Sequence, residues 1–167
     1  MENFEQNISA RKLLDMYSAT VYRLCYSRTG NKADSEDITQ EVFLRYIRAG
    51  KKFKDEEHRK AWILKVTVNC INTFCTAAYN RHRADLEEMG EPVGEMEEES
   101  DLLIAVRQLP EKYGQVIHLF YYEEMSVKEI SEITGDKEST VKSQLTRGRQ
   151  MLKKILEEAQ RNEQFEF

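Results

Sequence analysis

The chain has 167 residues, which is enough for one ordinary domain or two small ones. Its hydrophobic share of 40% is low for a single large core, and its charged share of 33% suits small helical units with much exposed surface. No apolar run approaches the ~20 residues that span a bilayer, and the acidic start of the chain lacks the basic and apolar parts of a signal peptide. We therefore expect a cytoplasmic protein without membrane insertion.

Residues that could bind a metal or form disulfides are few and scattered. No two cysteines form a CxxC pair, and no histidine stands at metal-ligand spacing from them. An odd number of cysteines in a cytosolic chain also argues against a disulfide framework. We predict free thiols that are buried or half-buried, with no metal and no cofactor. The residues concerned are Cys25, Cys70, Cys75, His58, His82 and His118.

The net charge of −5 comes from one segment. Between Ala84 and Asp101 there are nine acidic residues and no Lys or Arg, whereas the rest of the chain has 25 basic and 21 acidic side chains. We predict that residues 84–100 form a flexible acidic linker, because dense like charge cannot bury a core. The linker separates a helical domain at residues 1–83 from a second one at residues 101–160. Any DNA binding must use particular faces, since attraction by the whole chain is absent.

Three amphipathic helices are predicted before the linker, over about residues 11–28, 34–50 and 56–79. Gly30 lies in the segment that stops the first of them. The carboxylate of Asp34 is expected to cap the second, because it can accept from free backbone N–H groups. No strand-type alternation is sustained, so the predicted class is all-α. The predicted inward residues include Ile38, Val42, Phe43, Ile47 and Trp62.

A pair of helices is predicted after the linker. Ser126 and Glu129 form a capping box, in which each side chain bonds the other residue's backbone N–H. Gly135 then permits a sharp left-handed turn, and a longer helix begins near Glu138. The residues predicted to point inward are Val127, Ile130, Ile133, Val141, Leu145, Met151, Leu152 and Ile155.

The second helix of this pair has a basic outer face. Between Lys137 and Lys154 there are six basic residues and one acid. A short helix, a turn and a basic second helix match the helix-turn-helix, whose second helix enters the major groove. An ordinary solvated helix is the alternative, and we favour DNA binding. The outward residues are Lys142, Gln144, Arg147, Arg149, Lys153 and Lys154.

Two N-terminal segments are candidate interaction surfaces. Residues 34–43 present an acidic outer face, which is either simply solvated or a docking site for a basic partner. An exposed aromatic beside Lys65 and Asn69 would make a stacking platform for unpaired bases, with Phe53 as a contributor. Trp62 is the other aromatic there, although a lone Trp on an apolar stripe usually belongs to the core. Catalysis is not expected, since no histidine, nucleophile or metal cluster accompanies the carboxylates.

Three segments follow one another in the order and spacing of a known family. They read Asp34-Ser-Glu-Asp-Ile-Thr-Gln-Glu-Val-Phe43, Trp62-Ile-Leu-Lys-Val-Thr-Val-Asn69, and Leu109-Pro110 leading to Thr140-Val-Lys-Ser-Gln-Leu-Thr-Arg147-Gly-Arg149. In this the chain resembles bacterial RNA polymerase sigma factors of the extracytoplasmic-function (ECF) class, which have only regions 2 and 4 of the sigma-70 family. The resemblance covers about residues 13–156.

The resemblance implies a promoter-specificity subunit that has no enzymatic activity of its own and works only with core polymerase, at its clamp and flap. It implies polymerase docking by Asp34, Asp37, Gln40, Glu41 and Phe43. It implies contacts to the minus-ten element, including a flipped base, by Phe53, Trp62, Lys65, Asn69, Arg81 and Arg83. It implies reading of the minus-thirty-five duplex by Ser139, Thr140, Lys142, Ser143, Gln144, Thr146, Arg147 and Arg149.

The chain departs from the family pattern at three positions. Family members usually place an acid and then arginines after the position of Asn69, whereas this chain has Thr73 and Thr76 there. Gln144 stands where arginine is common, which would alter promoter preference.

The family also implies control by an anti-sigma factor that covers the DNA-binding and polymerase-binding surfaces. The alternatives are a stand-alone helix-turn-helix regulator that binds DNA as a dimer, an adaptor for an acidic protein and, last, an enzyme.

Overall fold

Two helical units make up the part of the chain that the structure describes. The computed structural model describes residues 8–84 and 100–165, and all regular secondary structure in these ranges is α-helix, which confirms the predicted all-α class. No helix within them is both long and apolar enough to cross a membrane. The acidic segment 84–100 lies almost wholly outside the described residues. In chain order the helices are α1 (Ala10–Thr29), α2 (Lys32–Ala49), α3 (Glu56–Ala84), α4 (Asp101–Gln108), α5 (Glu111–Tyr121), α6 (Val127–Thr134) and α7 (Glu138–Phe165).

The N-terminal unit consists of α1, α2 and α3, each of which packs against the other two. Apolar side chains recur at three- and four-residue steps on each helix, so each helix has one face to bury. The fully or nearly fully buried side chains of this core include Leu13, Val21, Leu24, Ile38, Val42, Ile63, Leu64 and Ile71.

The turn between α1 and α2 sets the start of the second helix. Gly30 adopts a left-handed conformation (φ 64°) and donates its N–H to the carbonyl of Tyr26, which ends α1 as predicted. Asn31 is the N-cap of α2, and its Oδ1 accepts from the N–H of Asp34 at 3.0 Å. The prediction that Asp34 caps this helix is therefore wrong: Asp34 lies in the first turn, where its charge still suits the helix dipole.

The inner face of α2 also differs from the prediction near its end. Ile47 was expected to point inward, but it is 59% exposed. Tyr46 occupies the inner position instead, because its ring packs against Phe53 and Trp62. One residue further on, the helix has turned by about 100°, which carries the side chain of residue 47 out of that contact.

The C-terminal unit contains α4, α5, α7 and most of α6, with α7 packed along both α5 and α4. The buried residues of α5 include Val116, Ile117 and Leu119. Gly148 of α7 lies directly against this helix. A Cβ atom at Gly148 would come within 2.9 Å of the Ile117 Cγ1 atom, so only glycine allows this approach without a shift of Ile117.

The helix-turn-helix has the predicted local geometry. Ser126 and Glu129 make both hydrogen bonds of the capping box at the start of α6. Gly135 is left-handed (φ 81°), and its N–H donates to the carbonyl of Ser131. The Ser131 hydroxyl donates to the carbonyl of Asp136 at 2.5 Å, which closes the turn before α7 begins at Glu138. Val141 and Leu145 are buried as predicted, whereas Met151, Leu152 and Ile155 are half-buried.

Candidate nucleic-acid interface

The first half of α7 presents a polar and basic face to solvent. The hydroxyls of Ser143 and Thr146 donate to the carbonyls of Ser139 and Lys142, at 3.1 and 3.0 Å. Each hydroxyl oxygen keeps lone pairs that are able to accept hydrogen bonds. The predicted minus-thirty-five residues that are exposed are Ser139, Thr140, Lys142, Ser143, Thr146, Arg147 and Arg149.

Gln144 differs from its neighbours because it is half-buried against the turn of the helix-turn-helix. Its Nε2 donates to the carboxylate of Asp136 at 3.3 Å. The side-chain amide is thereby oriented by the residue that precedes α7. The sequence alone could not show this contact, because the two residues are eight apart and only the turn brings them together.

Two arginines of α7 contact tyrosines of α5. Arg147 donates to the phenol of Tyr113, and this hydrogen bond lowers the pKa of that phenol from its ordinary value. The Nε of Arg149 donates to the phenol of Tyr121 at 2.5 Å. Its guanidinium carbon lies 5.5 and 5.6 Å from the ring centroids of Phe120 and Tyr121, within cation–π range. These contacts tie the outer side of α7 to α5.

An aromatic cluster joins the end of α2 to α3 in the N-terminal unit. The rings of Tyr46, Phe53 and Trp62 lie within 5.8 to 5.9 Å of one another. Phe53 is only 5% exposed, whereas Tyr46 and Trp62 are half-buried. The expectation that Phe53 offers an exposed ring for base stacking is therefore wrong in this structure: the ring packs into the cluster, and Tyr46 and Trp62 are the accessible aromatic surface.

A buried arginine packs against this aromatic cluster. Arg59 has no exposed surface, and its Nη1 donates to Glu56 at 2.6 Å while its guanidinium lies over the Phe53 ring. The Tyr17 phenol on α1 also donates to Glu56. Burial, followed by this bond to a carboxylate, raises the pKa of Tyr17 well above its ordinary value. The start of α3 is thus fixed to both α1 and the preceding loop.

Exposed cations lie near the residues of the aromatic cluster in the sequence. Lys65 and Asn69 lie on the exposed side of α3, as their predicted role requires. Exposed lysines at positions 51, 52 and 54 flank the buried Phe53 and were missed by our sequence interpretation. The signal was present, since residues 45–54 contain five basic side chains and no acid. The side chains of Arg81 and Arg83 lie outside the described residues.

The residues predicted to form a docking face on α2 differ in their exposure. Asp37 and Gln40 are exposed, Asp34 is half-buried, and Glu41 pairs with Arg45 at 3.0 Å. Phe43 is only 5% exposed, so the expectation that its side chain meets a partner is wrong, because the ring belongs to the helical core. Two exposed apolar residues of α2, Leu44 and Ile47, were not predicted and extend the face that contains Asp37 and Gln40.

The C-terminal unit has an apolar groove of about 410 Å³ between α4, α5 and α7. The apolar side chains that line it include Leu102, Val106, Ile117, Leu152 and Leu156. Tyr121 and Arg149 lie at its edge, so the groove adjoins the basic helix.

The three cysteines have the predicted burial. Cys25 and Cys70 are buried, and Cys75 is half-buried. Burial raises the pKa of Cys25 to about 12. No three His, Cys, Asp or Glu side chains of the described ranges come together as a metal site would require.

The sequence matches two models of one family. The model described as Sigma-70 region 2 covers residues 13–81, and the model described as Sigma-70, region 4 covers residues 101–152. The ECF RNA polymerase sigma factor SigW of Bacillus subtilis is 29% identical over 86% of this chain and 87% of its own length. The chain belongs to the sigma-70 family, in its ECF class.

Other relatives of this sigma factor agree with the assignment. The ECF RNA polymerase sigma factor SigE of Mycolicibacterium smegmatis is 30% identical over 87% of this chain, which spans 60% of that longer protein. Among solved structures, the sigma factor RpoE of Bartonella quintana, in complex with the anti-sigma factor NepR, has a TM-score of 0.69 at 18% identity, over 88% of this chain and 96% of that one. CnrH, in complex with the cytosolic domain of CnrY, has a TM-score of 0.65 at 17% identity, over 89% and 87% of the two chains. At these identities the structures show a shared fold.

The two matched regions coincide with the two helical units of this sigma factor. Region 2 covers most of α1 to α3, which contain the predicted docking residues and the aromatic cluster. Region 4 covers α4 to the middle of α7, including the helix-turn-helix. Beyond residue 152, α7 continues to Phe165 outside the match and lines the apolar groove.

Proposed function

We propose that this sigma factor directs core RNA polymerase to particular promoters by four surfaces, two for DNA and two for polymerase. The observation that carries the proposal is the exposed basic face on the second helix of a complete helix-turn-helix. Helices in this position enter the major groove of duplex DNA. The chain has a net charge of −5, so unaided DNA binding would be weak, and the polymerase must bring the two together.

The minus-thirty-five duplex is assigned to the first half of α7. Lys142 is a point charge on the exposed face and suits a phosphate, whereas hydroxyl lone pairs and the guanidinium of Arg147 can meet base edges. Gln144 is assigned a smaller share than the sequence predicted, because Asp136 already holds its amide. The remaining residues proposed for this surface are Ser139, Thr140, Ser143 and Thr146.

The minus-ten strand is assigned to the exposed side of the aromatic cluster. Unpaired bases stack on aromatic rings and Lys side chains track the backbone. Tyr46 and Trp62 offer accessible ring surface. The lysines at 51, 52, 54 and 65 are placed to hold phosphates around it. Thr73 and Thr76 donate to the carbonyls of Asn69 and Asn72, so these side chains bring no charge to strand separation.

Polymerase docking is assigned to α2 and to the groove of the C-terminal unit. On α2, Asp37 and Gln40 lie on the same exposed side as Leu44 and Ile47, so apolar contact and acidic charge would act together. The apolar groove is proposed to receive the flap of the large subunit, because it is open and lined by aliphatic side chains. The cytoplasm, where polymerase and DNA lie, is the proposed place of action.

Control by an anti-sigma factor is also proposed. One similar structure contains the sigma factor RpoE bound to the anti-sigma factor NepR, and an inhibitor of this chain would have to cover the surfaces assigned here to DNA and to polymerase. Co-expression of this sigma factor with proteins encoded beside it, followed by affinity purification, should yield a stoichiometric partner that blocks binding to core polymerase. Recovery of the chain without such a partner, at full activity, would count against this control.

Selection of DNA fragments tests the assignment against a stand-alone regulator. Sheared genomic DNA is incubated with the sigma factor, with core polymerase, and with both, and the retained fragments are sequenced. We expect specific fragments only when both are present. If the sigma factor alone retains the same fragments, the dimeric regulator is the better description. The triple variant Lys51→Ala, Lys52→Ala and Lys54→Ala should reduce retention without reducing affinity for core polymerase, whereas Leu44→Asp with Ile47→Asp should reduce that affinity.

A further inference from the structure

Arg149 is held by α5 at the turn where α7 comes closest to that helix. Its Nε donates to the Tyr121 phenol at 2.5 Å, and its guanidinium lies over the rings of Phe120 and Tyr121. The preceding residue, Gly148, packs against the same helix, where a Cβ would lie 2.9 and 3.1 Å from the Cγ1 and Cδ1 atoms of Ile117. Two successive residues of α7 therefore fix its position on α5. Gly148 does so by close packing, and Arg149 does so by its hydrogen bond to Tyr121, which we call the clasp.

We propose that Arg149 is a positioning residue, which sets the tilt of the promoter-reading end of α7 through Tyr121 and does not itself contact DNA. The inference rests on the proposed reading of duplex DNA by α7. A guanidinium suits the task because it is planar, stacks on rings and donates in a fixed direction, whereas a lysine ammonium does none of these. The contact uses the Nε and one face of the guanidinium that a DNA contact would also need.

The distance along the helix explains why such a clasp matters. Lys142 lies seven residues before Arg149, which is about 10 Å along a continuous helix. A tilt of about 10° at Arg149 would therefore move Lys142 by about 2 Å. Hydrogen bonds of the N–H···O type tolerate only about 0.5 Å of variation in length. A loosened clasp would break hydrogen bonds to bases and phosphates together, while the same cations stay near enough to neutralise the same phosphates.

Salt dependence separates this role from a direct DNA contact. Each phosphate that a cation neutralises adds about 0.9 to the slope of log affinity against log salt concentration. Loss of a phosphate contact lowers that slope, whereas a displaced helix weakens binding with little change in it. Retention of charge at position 149 should rescue a phosphate contact, but it cannot rescue the clasp.

The experiment uses holoenzyme reconstituted from core polymerase and the full chain. The probe is a promoter fragment that the wild-type holoenzyme retained from genomic DNA, and affinity is measured over a series of potassium chloride concentrations. The variants are Arg149→Lys, Arg149→Gln, Tyr121→Phe and the double Arg149→Lys, Tyr121→Phe, with Lys142→Ala as the phosphate control. Affinity for core polymerase and the thermal midpoint are measured for each, because Tyr121 also borders the apolar groove.

We expect Arg149→Lys and Tyr121→Phe each to weaken promoter binding by about 3- to 10-fold, the size of one lost net hydrogen bond. The double variant should be no weaker than the worse single variant by more than about 2-fold, since both changes break the same bond. Slopes should match that of the wild type for these and for Arg149→Gln, and only Lys142→Ala should lower the slope, by about one.

Three results would overturn the proposal: wild-type affinity in Arg149→Lys, wild-type affinity in Tyr121→Phe, or a slope lowered by about one in Arg149→Gln. If Arg149→Gln does not fold, the other two variants still decide the matter. A different pattern marks failure of the underlying function. In that case the wild-type holoenzyme retains no fragment, or Lys142→Ala leaves both affinity and slope unchanged.

Discussion

A buried polar pair in the C-terminal unit permits a quantitative test of what holds that unit together. The Nε2 atom of His118 lies 3.2 Å from a carboxylate oxygen of Glu123, and the two side chains are 1% and 3% exposed. The imidazole also stacks on Tyr122 with its centroid 5.2 Å away. Removal of one partner from such a buried pair leaves the other's polar group in an apolar setting, which costs about 3–5 kcal/mol.

We therefore expect Glu123→Leu to lower the free energy of unfolding of the C-terminal unit by about 3–5 kcal/mol. Glu123→Gln should cost only about 1 kcal/mol, because its amide oxygen can still accept from the imidazole without the help of charge. The double variant His118→Leu, Glu123→Leu should recover most of the loss, since apolar side chains of similar volume can replace a buried pair at little cost.

Urea unfolding of the full chain measures these effects with an internal control. Trp62 is the only tryptophan and lies in the N-terminal unit, so its fluorescence reports that unit, while circular dichroism reports both. Variants at His118 and Glu123 should shift the part of the transition that only circular dichroism detects. A cost below about 1 kcal/mol for Glu123→Leu, or a double variant as unstable as that single one, would show that the pair does not stabilise the unit in this way.

Three further predictions follow from individual contacts. Gly148→Val should lower the stability of the C-terminal unit by about 1–3 kcal/mol through overpacking; an unchanged melting curve by circular dichroism would contradict the close approach. Native protein at pH 8 should react with a thiol reagent at Cys75 before Cys25, because burial raises the pKa of Cys25 to about 12. The protonated Cys25 thiol also makes stability depend on pH. Its contribution to the free energy of unfolding is fully present below the unfolded pKa of about 8.5 and is lost as the pH rises toward 12. Arg147→Ala should change which bases are tolerated in the minus-thirty-five element, by about 1–3 kcal/mol per lost base contact; equal weakening on every sequence, measured by competition binding, would exclude base reading.

The local features of the helix-turn-helix could be predicted from sequence because each depends on a few neighbouring residues. Ser126 and Glu129 stand three apart, which is the spacing of the capping box, and Gly135 tolerates the left-handed conformation that the turn requires. The same short-range rules predicted the wrong N-cap for α2, where two residues suit that position. Asn31 and Asp34 both suit an N-cap, and only the extended conformation of Asn31 decides between them.

The side-chain positions that could not be predicted from the sequence depend on contacts between distant residues. Phe53 is buried because Tyr46, Trp62 and Arg59 surround it, and these lie on two different helices. The periodicity of α2 likewise does not tell whether Tyr46 or Ile47 takes the inner position. The hydrogen bond from Arg149 to Tyr121 joins residues 28 apart. Part of the basic face that the sequence predicts on α7 therefore contacts another helix.

Run-off transcription measures whether this chain confers promoter-specific initiation on core polymerase. Core polymerase, the sigma factor, and the two together are given the fragments retained by the holoenzyme, and the transcripts are sized and their 5′ ends mapped. We expect discrete transcripts with one start site per fragment, only when both proteins are present, and their loss in the Leu44→Asp, Ile47→Asp variant. Discrete initiation by core polymerase alone, or no initiation from any fragment with the wild-type sigma factor, would exclude this function.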